Sequence, residues 1–154
     1  MMPLPDWAPN LHPLVVHFPI ALLVVAPLVD LAGVVWPKPA FPRAAATLLY
    51  GLGAVGVAAA YLTGRVAAQT IWLPGMSHSV VGEHWTWALR TVWFYGAFLA
   101  VRLVVLRTPA RGPSRVLAVL LLLAGLAGVG LLIRTGDRGG ALVYQYGVGT
   151  DRTP

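Results

Sequence analysis

All four histidines of this 154-residue chain lie in two short runs. His12 and His17 stand where the first long apolar segment begins, and His78 and His84 stand where the third begins. Neutral imidazole is a common ligand of haem iron, copper and zinc. Histidines placed beside apolar segments therefore predict a ligand site at one end of the structure.

His17 and His84 are the predicted axial ligands of a b-type haem. Their two helices should cross the membrane in the same direction, which brings both imidazoles to a similar depth. His12 and His78 lie further out, as second-site ligands, hydrogen-bond partners or solvent-exposed residues. On one helix, His12 and His17 would point about 140° apart, so sharing one ion requires His12 in a bent segment before the helix. The alternatives are copper or zinc, held by His12, His17 and one or both of the others, or no cofactor.

Arg90 is expected inside the third apolar segment, where a charged side chain is costly and a functional role is expected. Three roles are open: reaching outward to Glu83 or Asp137, holding a haem propionate through its planar fork, or lining a pocket for a small molecule such as a quinone. Asp30 should lie about 20 Å deeper than His17 on the first helix, near the opposite membrane face.

The composition indicates a protein embedded in lipid. Hydrophobic residues make up 58% of the chain and charged residues 10%, whereas soluble domains have about 25% charged residues. The net charge of +6 does not predict a nucleic-acid interface, because the basic residues lie between apolar segments, as membrane topology requires. The chain has no cysteine, which excludes disulfides, thiolate metal sites and cysteine-ligated iron–sulfur clusters.

Four apolar segments are long enough to span a bilayer. They cover about 14–36, 44–63, 85–106 and 116–133, and they predict a single all-α domain over 1–154, an integral membrane four-helix bundle. The glycine-rich residues after 135 predict a short non-helical C-terminal tail, with an extended or interfacial piece at 141–146. A histidine-bearing helix followed by a glycine-rich helix occurs in both halves, without a convincing sequence repeat.

Basic residues predict the orientation. One side carries six of them without an acid: Lys38, Arg43, Arg102, Arg107, Arg111 and Arg115. An excess of Lys and Arg marks the cytoplasmic side. Both termini, the long loop and the four histidines are therefore expected outside, with Tyr144 and Tyr146 covering the outer mouth of the site.

The opening run 11–23, LHPLVVHFPIALL, resembles the signature of a bacterial membrane family, domain of unknown function 2231. The closing run 139–149, GGALVYQYGVG, resembles the end of that family, and Thr63-Gly64 and the histidine at the third helix also fit. The resemblance implies four helices in a bacterial cytoplasmic membrane. Because the family occurs beside or fused to Rieske and cytochrome modules, it also implies a redox setting. Tyr146 departs from the family, since many members have histidine there.

These observations favour a b-type haem-binding membrane subunit that transfers electrons and has no independent catalytic activity. The sequence contains no nucleophile with a placed base, no paired carboxylates and no phosphate-binding loop. The alternative is a non-catalytic anchor that docks a Rieske or cytochrome c redox protein at the outer face.

Overall fold

The computed structural model describes residues 10–36, 41–71, 73, 75–107 and 114–150. Within these residues the chain forms four long α-helices and one short 3-10 turn, without any β-strand. The elements are α1 (His12–Val35), α2 (Phe41–Thr70), the 3-10 turn (Gly75–Ser77), α3 (His78–Arg107) and α4 (Arg115–Tyr144). The predicted all-helical, four-helix fold is confirmed.

All four helices are long and apolar enough to cross a membrane. They contain 24 to 30 residues, or about 36–45 Å at 1.5 Å per residue, against about 30 Å of hydrocarbon in a bilayer. Large apolar side chains cover the outside of the bundle; Trp93, for example, is 72% exposed and Val55 69%. Such a surface suits acyl chains and would be a liability in water.

Three helices are longer than the hydropathy of the sequence predicts. α2 continues to Thr70, α3 already begins at His78, and α4 continues to Tyr144. Apolar character ends where the chain leaves the hydrocarbon, but a helix satisfies its own backbone groups and does not have to end there. The prediction of an extended or interfacial piece at 141–146 was therefore wrong for the part that α4 includes.

The described tail is short and turns away from α4 through two glycines. Gly147 and Gly149 have positive φ angles of 67° and 73°, a region that residues with a Cβ rarely adopt. The amide of Val148 donates to the carbonyl of Leu142 at 2.9 Å, and the amide of Gly147 donates to that of Val143 at 3.1 Å. These bonds satisfy carbonyls at the end of α4, as in other glycine-terminated helices.

The helices pack in a ring, each against its neighbours in chain order, with α4 closing against α1. α1 and α3 are thus diagonally opposite, and their side chains meet across the centre of the bundle. The buried core contains Leu23, Tyr50, Tyr95 and Phe98. Glycines of α2 and α4 make room for these side chains, which is the use of small residues expected in membrane helix packing.

The first hairpin (α1–α2) and the second hairpin (α3–α4) make matching contacts. Leu23, eleven residues after His12, packs against Gly53, and Tyr95, eleven residues after His84, packs against Gly128. Matched positions are His12 with His84, Leu23 with Tyr95, Asp30 with Arg102, Gly53 with Gly128, and Gly64 with Gly139. The shared rhythm of the two halves is therefore a structural repeat related by an approximate two-fold axis through the bundle.

Candidate functional site

His12 is the first residue of α1 and is held by α2. Its Nδ1 lies 2.9 Å from the carbonyl oxygen of Ala60 and 3.3 Å from Oγ1 of Thr63. The ring lies over Gly64, where a Cβ atom would be only 3.0 Å from His12 Cε1. The imidazole is therefore fixed by one carbonyl and by one position that lacks a side chain.

His84 has the same arrangement in the second hairpin. Its Nδ1 lies 3.0 Å from the carbonyl oxygen of Thr135 on α4. A Cβ atom at Gly139 would lie 3.1 Å from His84 Cε1. In both hairpins the glycine stands four residues after the residue whose carbonyl binds the histidine. The carbonyl and the glycine together form a cradle for the imidazole, and the two cradles correspond.

The carbonyl contacts determine which ring nitrogen is available to a ligand. A carbonyl oxygen only accepts hydrogen bonds, so Nδ1 of His12 and of His84 is the donor in each contact. In a neutral imidazole the other nitrogen, Nε2, then carries a free lone pair. Metal-binding histidines are commonly oriented in this way, with the second nitrogen donating to a carbonyl or carboxylate.

The two cradled imidazoles face each other across the bundle. The ring centroids of His12 and His84 are 6.4 Å apart, and the ring planes are inclined by 80°. Two metal–nitrogen bonds of about 2 Å would place the nitrogens about 4 Å apart and the ring centres roughly 6 Å apart. Direct edge-to-face contact between rings falls in the same range. The separation therefore allows one metal atom between them and does not require it.

The other two histidines are not part of this pair. His17 and His78 are exposed, and Nδ1 of His17 bonds to the carbonyl of Pro13 on its own helix. α1 begins at His12 itself rather than after a bent segment, so helical rotation turns His17 away from the face that carries His12. Among the described residues, no three His, Asp or Glu side chains are grouped to hold a metal ion. The structure thus pairs His84 with His12 instead of the predicted His17, and it offers two histidines rather than three or four.

Arg90 does not reach the acids that the sequence offered as partners. Its side chain is exposed, and its guanidinium lies 4.7 Å from the ring centroid of Trp87, one turn earlier on α3. Glu83 pairs instead with Arg138 of α4 at 3.1 Å, and Asp137 pairs with Arg134 at 3.6 Å. The charge is therefore accommodated by stacking on an aromatic ring at the surface.

Arg65 is a cation beside the histidine pair that the sequence analysis did not single out. It follows Gly64, which touches His12, and its guanidinium lies 5.8 Å from the ring centroid of Trp85, the residue after His84. The described residues include no acid within ion-pair distance of it. Arg65 is therefore an exposed cation at the histidine end of the bundle, with its guanidinium over the ring of Trp85.

The tyrosines expected to cover the site differ in exposure. Tyr144, the last residue of α4, is 86% exposed, and Tyr146 is partly buried, with its amide 3.3 Å from the carbonyl of Ala141. Tyr144 therefore does not cover the histidines. The longer α4 is the reason, because it carries Tyr144 past the end of the bundle.

A second polar cluster lies at the opposite end of the bundle. Arg102 forms a two-bond ion pair with Asp30, with N–O distances of 2.6 and 2.9 Å, and its Nε donates to Thr47 Oγ1 at 3.3 Å. Asp30 is 8% exposed and Arg102 4%. The sequence placed both residues at this end, as charges that set the topology or reach the membrane surface, but it did not predict that they form a buried pair. Asp30 lies eighteen residues after His12, and Arg102 lies eighteen residues after His84. This equal spacing was the feature of the sequence that could have indicated that the two residues meet.

The four long apolar helices define a multi-pass membrane protein, a four-helix bundle with two facing histidines at one end and a buried ion pair at the other. The sequence profile of the DUF2231 family, described as predicted membrane proteins, matches residues 8–152. The chain therefore belongs to this family, as its opening and closing motifs predicted. No curated protein and no solved structure matches it significantly.

Proposed function

We propose that this protein is a b-type haem-binding subunit that transfers electrons at the outer face of the bacterial cytoplasmic membrane. His12 and His84 are the proposed axial ligands. The observation that carries the proposal is the facing pair of imidazoles, 6.4 Å apart, each with Nδ1 held by a backbone carbonyl of the neighbouring helix.

The number of available ligands favours haem over zinc. A structural zinc ion takes four protein ligands and a catalytic one usually takes three. The porphyrin supplies four ligands to haem iron, so only two are needed from the protein. Two imidazoles without a third ligand group in the described residues fit this requirement. Two facing imidazoles could also bind a cuprous ion. Metal analysis distinguishes bound copper from haem iron.

The residues around the histidines supply orientation and charge. Ala60 and Thr135 hold the rings through their carbonyls, and Arg65 provides a cation for a haem carboxylate. Arg65 takes the role first proposed for Arg90, whose guanidinium lies on Trp87. Bound haem supplies a one-electron iron couple. The protein's part would be to hold both imidazoles in one orientation through the carbonyls of Ala60 and Thr135.

The location of the pair favours exchange of electrons with a soluble partner. His12 is the first residue of its helix, so the site lies close to one membrane surface. The excess of basic residues at the opposite end of the bundle supports an outward-facing site. A Rieske or cytochrome c protein in the same compartment is the proposed partner.

The test is the absorption spectrum of protein purified from haem-supplied cells, with haem content measured by pyridine haemochrome and metals by elemental analysis. We expect one haem b per chain and a six-coordinate low-spin spectrum. Replacing His12 or His84 with alanine should remove that spectrum. His17→Ala and His78→Ala are matched controls, because both side chains are exposed.

Wild-type protein that is colourless and takes up no added haemin contradicts the proposal. Copper found in place of iron would assign the same two histidines to a cuprous site. Loss of haem in the His17 variant, with haem retained in the His12 variant, would restore the pairing that the sequence predicted.

A further inference from the structure

The ion pair between Asp30 and Arg102 joins the two hairpins at the end opposite the histidines. Both oxygens of Asp30 accept from the guanidinium, which also lies 4.6 Å from the ring centroid of Tyr50 and donates to Thr47. Asp30 belongs to α1, whereas Tyr50 and Thr47 belong to α2. The first hairpin therefore forms a complete, buried receptor for one side chain of the second hairpin.

The two charges stand at matching positions of the structural repeat. Each lies eighteen residues after the histidine that begins the repeat, His12 or His84, which is about 27 Å along a helix. At the histidine end, the matched residues are identical. At the ion-pair end, the matched residues carry opposite charges. The two hairpins therefore differ in charge at this end, although their contacts match.

We propose that Asp30 and Arg102 select the partner surface of each hairpin, so that a first hairpin packs only against a second hairpin. Two hairpins of similar shape could also pair with copies of themselves from another chain. By the same symmetry, two first hairpins would bring Asp30 against Asp30, and two second hairpins would bring Arg102 against Arg102. Buried like charges oppose both arrangements, which is a known route to specificity.

The selection concerns which hairpins pair and is separate from cofactor binding. Replacing a buried ion pair with well-packed apolar residues often preserves stability, whereas removing one partner leaves an uncompensated charge. If the charge pair serves for selection, a chain with apolar residues in its place should still fold. Such chains should, however, no longer assemble into one uniform species. This difference gives the experiment its readout.

The first test compares three full-length proteins, the wild type and two double variants, in detergent by size-exclusion chromatography with light scattering. The charge swap, Asp30→Arg with Arg102→Asp, should elute as the wild type does. The neutral pair, Asp30→Leu with Arg102→Met, should accumulate but separate into several species, including additional dimers. A neutral pair as uniform as the wild type, or one that fails to accumulate while the charge swap does, contradicts the proposal.

The second test co-expresses two differently tagged chains, one with Asp30→Arg and one with Arg102→Asp. Each alone carries like charges at the ion-pair end and should give little monodisperse protein. Together they can exchange hairpins, because the arginine introduced at position 30 of one chain then meets the aspartate introduced at position 102 of the other. We expect the two tags to co-purify in equal amounts, and two differently tagged Asp30→Arg chains, the control, not to do so. Absence of the mixed complex, while the charge-swapped chain folds, would overturn the proposal.

Discussion

The imidazoles of His12 and His84 are each fixed by a carbonyl and by an open position beside a glycine. Gly64 and Gly139 stand so close to the rings that an added Cβ atom would lie 3.0 and 3.1 Å from the Cε1 atoms. Contacts this short leave no space for a larger side chain unless the ring moves. The glycines thus determine where the imidazoles can lie, although they bind nothing themselves.

Gly139→Val should displace the His84 ring and reduce the haem content of the purified protein. Loss of an orienting neighbour commonly weakens metal binding by about 10- to 100-fold. We expect the haem affinity of this variant to fall within that range. The matched control is Gly136→Val on the same helix, where an added Cβ atom meets nothing within 4 Å. Equal haem content in the two variants would show that the space beside Gly139 is not needed for ligand geometry.

Arg65→Gln should weaken haem binding while leaving the fold intact. A charge-assisted hydrogen bond to a carboxylate contributes about 1.5–3 kcal/mol, so the dissociation constant should rise by roughly tenfold or more. Arg90→Gln is the control, because the Arg90 guanidinium lies over Trp87 of its own helix. The titration compares haem with its dimethyl ester, which has no carboxylates. If Arg65→Gln weakens binding of the ester as much as that of haem, Arg65 does not act on the carboxylates.

The sequence predicted that His17 and His84 face each other, whereas the structure places His12 opposite His84 and leaves His17 exposed. Whether His12 or His17 faces inward depends on the residue at which α1 begins, because the two lie about 140° apart around a helix. Helix starts are not determined closely by hydropathy. The contact of the Ala60 carbonyl with the His12 ring is tertiary, and no local pattern reveals it.

Helix contacts in this bundle rely on pairs of large and small residues. At Gly128, an added Cβ atom would lie 2.7 Å from both Phe94 Cε1 and Tyr95 Oη, and at Gly53 it would overlap two side-chain atoms of Leu23. In lipid, close packing of this kind replaces the hydrophobic effect as the force that holds helices together. Gly53 of α2 and Gly128 of α4 therefore serve helix packing between the two ends of the bundle.

Gly128→Leu should destabilise the bundle, because the new side chain must displace Phe94 and Tyr95. Overpacking a filled core costs about 1–3 kcal/mol, which should appear as a lower midpoint of thermal unfolding in detergent. Gly130→Leu, two residues away on the same helix, meets nothing within 4 Å and should unfold close to the wild-type temperature. Equal midpoints for the two variants would contradict the packing role of Gly128.

The number and type of elements could be predicted from the sequence, but their full lengths could not. Four apolar segments of about 20 residues are a strong signal, because lipid requires helices that satisfy their own backbone. The ends of α2, α3 and α4 extend into polar regions where composition no longer distinguishes helix from loop. The glycine-rich end of α4 in particular predicts a turn, yet the helix continues to Tyr144.

The whole molecule has a half-buried pair of histidines at one end and a buried ion pair at the other, with a mainly apolar core between them. The histidine pair and the ion pair are separated by eighteen residues of α1, about 27 Å, which is close to the hydrocarbon thickness of a bilayer. Each cluster therefore lies near one membrane boundary. The orientation proposed for the protein places the histidine pair outside.

Because the chain has no cysteine, single cysteines can test that orientation without other changes. We expect Gly75→Cys, at an exposed position near the histidine end, to react with a membrane-impermeant maleimide in intact spheroplasts. Ser114→Cys, at the exposed start of α4, should react only after the membrane is permeabilised. The reverse pattern would place the histidines in the cytoplasm.

The symmetry of the molecule and its ion pair were not predictable from local patterns. Matching contacts in the two hairpins involve different residue types, such as Leu23 and Tyr95, or Asp30 and Arg102. The matched histidines and glycines are identical, but the large core residues and the charges differ, so the repeat leaves little trace in the sequence. Asp30 was therefore interpreted as a snorkelling or topology residue and Arg102 as one of the basic residues of that side, because long charged side chains near helix ends ordinarily reach the membrane surface.

The most direct test of a shared iron is electron paramagnetic resonance of the oxidised, haem-loaded protein. Two imidazoles that bind one ferric iron should give a low-spin ferric signal, because the porphyrin and both imidazoles then supply six ligands. The signal should be lost in His12→Ala and in His84→Ala and kept in His17→Ala. A high-spin signal from the wild type, or a low-spin signal that survives loss of His12, would contradict iron ligation by His12 and His84.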